Sequence, residues 1–202
     1  MIWVVVALVI LIMVYILRTV KNYIMKAEEI IEKYYADQPE LMELLLVHSR
    51  QVAQKAMEVL DKHPELEVDR EFVFQAAMLH DIGIIKTDAP GINCHGTHPY
   101  ICHGMLGAEM LRNEGLMDYA RVAERHTGTG LTRETIEKQG LPLPADDFSP
   151  ETLEEQIVCY ADKFFSKSHP ERTKSVAQVR EMLSRFPDAN LERWDRWVEL
   201  FE

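Results

Sequence analysis

From residue 26 to the end of the chain, apolar side chains recur at helical spacing, and no stretch alternates apolar and polar residues for more than a few positions. A chain patterned that way buries stripes rather than sheet faces, so an all-α bundle is the expected fold. Leu41 to Leu60 shows the rule most plainly: Leu44, Leu45, His48, Val52, Ala56 and Val59 fall near one face, with Pro39 breaking the pattern before them and His63-Pro64 closing it. An earlier helix reads over Ala27 to Tyr35. Asp69 is placed to cap a helix running through Asp81, with Gly83 positioned to end it. Pro90, Gly91, Gly96 and Pro99 make residues 84–102 an ordered loop. Further helices are expected at His103–Asn113, Met117–His126, Thr132–Gln139, Thr152–Lys167, Ser175–Arg185 and Leu191–Phe201. In the last of these, Trp194, Trp197, Leu200 and Phe201 form a stripe that reads as packing.

The first segment is different in kind. Met1 to Leu17 has no charged side chain and, as a helix, would reach roughly 25 Å, near the lower limit for crossing a hydrocarbon core. Arg18, Lys21 and Lys26 follow at once, and neither a basic stretch before the run nor a small-residue cleavage pattern after it suggests a cleaved signal. The expectation is a hydrophobic N-terminal segment, residues 1–25, that anchors a cytoplasmic domain, residues 26–202, to the inner face of a membrane. The alternatives are a buried hydrophobic helix and initiation at Met25.

At 202 residues there is length for one catalytic core. The formal net charge of −11 argues against a surface that coats a nucleic-acid polymer, since such affinity rests on Lys and Arg contacts to phosphates. A small phosphorylated ligand remains compatible, because bound cations supply positive charge locally. Three cysteines, Cys94, Cys102 and Cys159, fit a reducing compartment better than a disulfide framework.

The residues that carry chemistry are polar groups where the pattern calls for apolar ones. His80 follows Val73, Ala76 and Ala77 at helical spacing, so it lies on an inward face, and Asp81 stands beside it at the last turn. His48 shares a face with Leu44 and Val52, where a lone histidine is more often a hydrogen-bonded core residue. Asp162 has Val158, Ala161 and Phe165 as helical neighbours, an unusual place for an aspartate that is neither paired nor coordinating. Together these anomalies suggest a buried cation, with imidazole and carboxylate donors suited to Mn, Fe, Ni, Mg or Zn.

In order and spacing, His48, then His80-Asp81, then Asp162 resemble the H…HD…D signature of the HD-domain superfamily, and the run HDIG at 80–83 resembles its HDIG subset. The resemblance implies an HD-type helical bundle in which those four residues bind a divalent metal, and phosphate-ester hydrolysis as the activity. The strings HGMLGAEML (103–111), AERHTGTGLT (123–132) and PETLEEQIVCYADK (150–163) look like a branch of small HDIG-type phosphohydrolases. His103 and His126 match the histidines that two-metal members add, which implies one or two ions. The cyclic-dinucleotide phosphodiesterases carry a Gly-Tyr-Pro motif and a paired histidine; neither occurs here, so cleavage of such a substrate is disfavoured.

The loop Cys94-His95-Gly96-Thr97-His98 through Cys102-His103 fits no standard zinc spacing and reads instead as a cover over the pocket. Lys86 is a candidate phosphate contact, and the 127–130 backbone a second; a neighbouring carboxylate or histidine would take the proton from the attacking water. Metal-activated hydrolysis of a nucleotide or other small phosphate ester is the expected function. The rivals are a di-iron oxygenase and a membrane-anchored regulatory module that binds a ligand without turnover.

Overall fold

Pro39 does not break a helix; it starts one. In the computed structural model, which describes residues 27–186 and 190–202, α1 spans Ala27–Tyr35 and α2 spans Pro39–Lys62, with Pro39 in the first turn, where its missing N–H has no intrahelical partner to lose. The 24 residues of α2 bury Leu41, Leu45, His48, Ser49, Val52, Ala56 and Val59 along one stripe, so His48 is carried into the core by helical period alone. Asp69 caps α3, Arg70–Leu79, its carboxylate accepting from the Phe72 N–H at 3.0 Å.

That helix stops at Leu79, two residues short of the expected end. Asp81, at φ −105° and ψ 10°, opens a 3-10 turn over Ile82–Lys86. Gly83 is therefore no helix terminator, and its use lies in packing. The expected loop at 84–102 holds a small sheet: β1 (Thr87–Ala89) pairs antiparallel with β2 (Cys94–His95) and parallel with β3 (His98–Pro99), in the order β2-β1-β3. Strands of two or three residues are too short for a period-two pattern to register.

Then come α4 (His103–Asn113), α5 (Met117–Arg125), α6 (Arg133–Gln139), α7 (Leu153–Asp162), α8 (Val176–Ser184) and α9 (Leu191–Phe201). Most boundaries fall within a residue of the expected ones. The exception is α7: a capping box between Thr152 and Glu155 starts it, but it ends at Asp162 rather than continuing to Lys167. Beyond it the chain turns back, tied by the Lys174 N–H to Phe164 O at 2.9 Å. In α9, Trp194, Trp197 and Phe201 are buried, Trp194 stacking on Tyr160 at 5.1 Å, while Leu200, counted in the expected stripe, faces solvent.

The core joins α1 through α5 and α7 through α9, and α1 braces the site directly. The Tyr35 hydroxyl donates to Ile82 O at 2.7 Å and accepts from the Ile85 N–H at 3.2 Å, pinning the 3-10 turn that Asp81 opens. The hydrophobic segment expected at residues 1–25 lies outside the described residues. Among the described residues no helix is long and apolar enough to cross a membrane.

Candidate metal centre

Five polar side chains from five segments converge around Asp81. His48 comes from the middle of α2, His80 from the end of α3, His103 from the first residue of α4, His126 from just past α5, and Asp162 from the end of α7. All but Asp162 are buried. Asp81 divides them: its Oδ2 lies 3.0 Å from His48 Nε2 and 2.9 Å from His80 Nε2, while its Oδ1 lies 3.3 Å from His103 Nε2 and 3.4 Å from His126 Nε2. Asp162 Oδ1 completes the first side, 3.1 Å from His48 Nε2 and 3.5 Å from His80 Nε2.

Glycines make this convergence sterically feasible. A Cβ on Gly83 would stand 2.1 Å from His103 O and 2.3 Å from Gly107 N, so the turn carrying Asp81 and the start of α4 touch backbone to backbone. A Cβ on Gly104 would stand 2.7 Å from Ala123 O, which brings α4 equally close to α5 and sets His103 beside His126.

Tautomers follow from the backbone. The Nδ1 atoms of His80, His103 and His126 lie 2.6, 2.7 and 2.7 Å from the carbonyls of Ala77, Tyr100 and Ala123, each three residues back. A carbonyl only accepts, so each Nδ1 carries a proton, and in the neutral ring each Nε2 offers a lone pair to the centre. His103 Nε2 and His126 Nε2 then face one another at 3.0 Å as two acceptors, a repulsive contact unless a cation serves both. Neither Asp81 oxygen makes a well-directed hydrogen bond despite its crowded neighbours, and His80 Nε2 is likewise without one. Buried, orphaned and aimed inward, these atoms fit a divalent metal, in two groups: His48, His80, Asp81 and Asp162, then Asp81, His103 and His126.

Electrostatics agree. Burial works against the Asp81 carboxylate, but His80 and Lys167 outweigh it and hold it well below the usual range; Asp162 is lowered against burial chiefly by Lys163 and His48. Burial pushes His103 down to about 3 and also lowers His126. Burial opposes charge on His80 too, yet the Asp81 and Asp162 carboxylates lift it to about 9. A metal ligand must be neutral, so metal uptake at pH 7.5 is expected to expel the His80 proton. Calorimetry in buffers of differing ionisation enthalpy reads this directly, as about one proton released per chain attributable to His80; a binding heat independent of buffer overturns it.

The other sequence candidates fall differently. Lys86 is not brought to the centre; its Nζ lies 3.7 Å from Glu109 and is partly exposed. Two other lysines are there, and sequence reasoning passed over them. Lys163 Nζ is buried 2.6 Å from Asp162 Oδ2 and 3.0 Å from His126 O, and Lys167 Nζ sits against Asp81 Oδ2. Both ammonium groups are held charged against burial by these carboxylates. The string YADKFFSK sets both lysines within five residues of the aspartate, but nothing local in it shows where their ammonium groups go. Among the described residues no potential ligand group includes Cys94, His95, His98 or Cys102, and all three cysteines are buried and free.

A cavity of about 770 Å³ opens beside His48 and Asp162, with Lys163, Lys167 and the Thr127–Gly130 loop in its wall. The small sheet and its flanking turns cover part of it through Ala89, Ile92, Tyr100 and Ile101.

The chain is similar to a tRNA (cytidine(56)-2'-O)-methyltransferase of Picrophilus torridus, 34% identical over 74% of this chain and 38% of that protein. It is similar to the enzyme of that name from Thermoplasma volcanium, 36% identical over 60% of this chain and 32% of the other. An uncharacterized protein of Methanocaldococcus jannaschii is 44% identical over 50% of this chain and 53% of its own length. The chain thus spans between a third and about half the length of these curated relatives. Its fold resembles the HD domain of the L. monocytogenes phosphodiesterase PgpH, both in complex with cyclic-di-AMP (TM-score 0.51, 19% identity, 86% of this chain and 93% of that one) and without that ligand (0.50, 21%, 85% and 94%). The HD domain profile matches residues 45–166, the stretch that holds every one of the converging ligands, and the chain belongs to the HD domain family.

Proposed function

We propose that this protein is a divalent-metal-dependent phosphohydrolase acting on a small phosphorylated compound, with two ligand groups, each able to hold an ion, that would share Asp81. The observation that carries the reading is the division of that buried carboxylate, one oxygen toward His48 and His80 and the other toward His103 and His126. When bound, the metal lowers the pKa of a coordinated water toward neutrality and polarises the phosphoryl group. The protein's own part begins with charge. Lys163 and Lys167 put two buried ammonium groups at the end of the cavity that meets the ligands, where they attract a phosphate and stabilise the charge that builds on its oxygens. Asp162 borders both the ligand set and the cavity; its Oδ2 holds Lys163 in place, and its Oδ1 is oriented with His48. The loop after His126 turns through Gly128 and Gly130 at positive φ, closed by the Gly130 N–H donating to Thr127 O, and so forms the wall beside His126.

Two lysines beside the ligands favour an anionic substrate. A complete ligand set speaks against a regulatory module without turnover. The net charge of −11 favours a small molecule over tRNA as partner, although two relatives are named for tRNA modification. PgpH is solved with cyclic-di-AMP, but at 19% identity that likeness is one of fold and does not carry the ligand to this chain.

Phosphate release by the full chain with added Mn²⁺, across nucleotides and small phosphomonoesters, is the test. Release by the parent is expected, and Lys167→Met is expected to lower kcat/KM by roughly a hundredfold while metal content is retained. Silence across the panel, with metal bound, overturns the reading.

A further inference from the structure

Resting on the hydrolase reading above, we propose that the phosphate ester this site takes carries an apolar organic group, seated against Ile101, Leu131, Leu141, Phe165, Met182 and Phe186. The cavity, at about 770 Å³, has room for a drug-sized organic group beside a phosphate. Its charged groups gather at the metal end. Lys163 and Lys167 touch the ligand carboxylates, Lys174 Nζ lies 3.4 Å from Lys163 O, and Asp162 is the acidic side chain among the described wall residues.

Most polar side chains elsewhere in the wall are already engaged within the protein. Thr135 Oγ1 lies 3.0 Å from Thr132 Oγ1, and Thr129 Oγ1 accepts from the Asn190 N–H at 3.1 Å. The Ser166 and Ser168 hydroxyls pair at 3.1 Å, Lys174 donates to Phe165 O at 2.9 Å, and Gln139 is engaged as well. A nucleobase edge or a sugar's hydroxyls would be stripped of water there and meet few free partners, which is costly; methylenes or an aryl ring meet aliphatic and aromatic wall. Met182 can adapt to an irregular shape, and Phe186, 60% exposed, stands as an apolar group where the cavity meets solvent.

The chemistry stays a hydrolysis: water adds across the ester P–O bond, giving the apolar alcohol and inorganic phosphate. The test separates binding from turnover. Methyl-, butyl- and octylphosphonate, which cannot be hydrolysed, are titrated into the Mn²⁺-loaded full chain, with adenosine 5′-monophosphate beside them. Affinity is expected to rise about fourfold per buried methylene, roughly 250-fold from butyl to octyl if all four added methylenes are buried, with the nucleotide weaker than the octyl compound. Leu141→Asp and Phe186→Asp, at partly buried and exposed positions, are expected to flatten that slope, which is read as a ratio within each variant. Octyl phosphate is assayed for metal-dependent phosphate release in parallel. A flat slope, or a nucleotide bound more tightly than octylphosphonate, overturns the inference even where release is seen. A steep slope with no release from octyl phosphate overturns the hydrolase reading and leaves an apolar anion site.

Discussion

Asp81→Ala is expected to cost this protein its metal and, with it, about three orders of magnitude or more in phosphate release. The size follows from geometry. Among the described residues no other side chain belongs to both ligand groups, so its loss opens two coordination sets together: His48, His80 and Asp162 keep one carboxylate among them, and His103 with His126 keep none. Polarisation by bound metal contributes several kcal/mol to a barrier, and each 1.4 kcal/mol is about tenfold in rate. Lys167 would lose the carboxylate that keeps its buried ammonium charged, so the cavity would lose phosphate affinity as well. A readout besides activity is available. Metal that binds only the folded chain raises its stability by about 2.7 kcal/mol at a hundred times the dissociation constant. Wild-type protein should melt later as Mn²⁺ is added, and Asp81→Ala should not. Asp81→Asn keeps the shape and one acceptor without the charge, and it should resemble the alanine variant in metal content. Full metal content or full phosphate release in either variant sinks the shared-carboxylate arrangement.

Much of that centre could be read from the chain because its residues violate the pattern around them. His48, His80 and Asp162 each interrupt an apolar helical stripe, and burial without a partner is costly enough that the interruption carries information. The helices themselves were legible for the same reason, as was the Asp69 cap. What escaped notice depends on the chain folding back. The β1, β2 and β3 strands are held by pairing across tight turns and leave no period in the sequence. An exposed-looking lysine gives no local hint of where its ammonium ends up. Lys86, next to the HDIG run, turns toward Glu109, while Lys163 and Lys167 enter the site because α7 ends at Asp162 instead of continuing. The split of the Asp81 oxygens depends on the approach of α4 to the 3-10 turn, which spacing alone does not show.

That approach makes Gly83→Ala the other substitution with a large expected effect. Gly83 does not need glycine for its backbone angles, since it is absent from the positive-φ residues, so alanine brings no conformational strain of its own. The obstacle is contact. The new methyl would meet His103 O at 2.1 Å and Gly107 N at 2.3 Å, and both are backbone atoms of α4 that cannot rotate away. Either α4 withdraws or the turn carrying Asp81 does. Overpacking of this kind costs roughly 1–3 kcal/mol, occasionally more, and for a chain of this size that lowers Tm by about 3–10 °C. Withdrawal also acts on chemistry, because His103 is the first residue of α4 and its Nε2 must stay near Asp81 Oδ1 and His126 Nε2. His48, His80 and Asp162 stand on helices that do not share the clash. Metal bound between Asp81, His103 and His126 is therefore expected to weaken first, so that titration of Gly83→Ala shows one equivalent near wild-type affinity and a second reduced at least tenfold. Wild-type Tm and two unaltered equivalents would mean that α4 and the turn can part without disturbing the centre, and that the glycine contact does not set the position of His103.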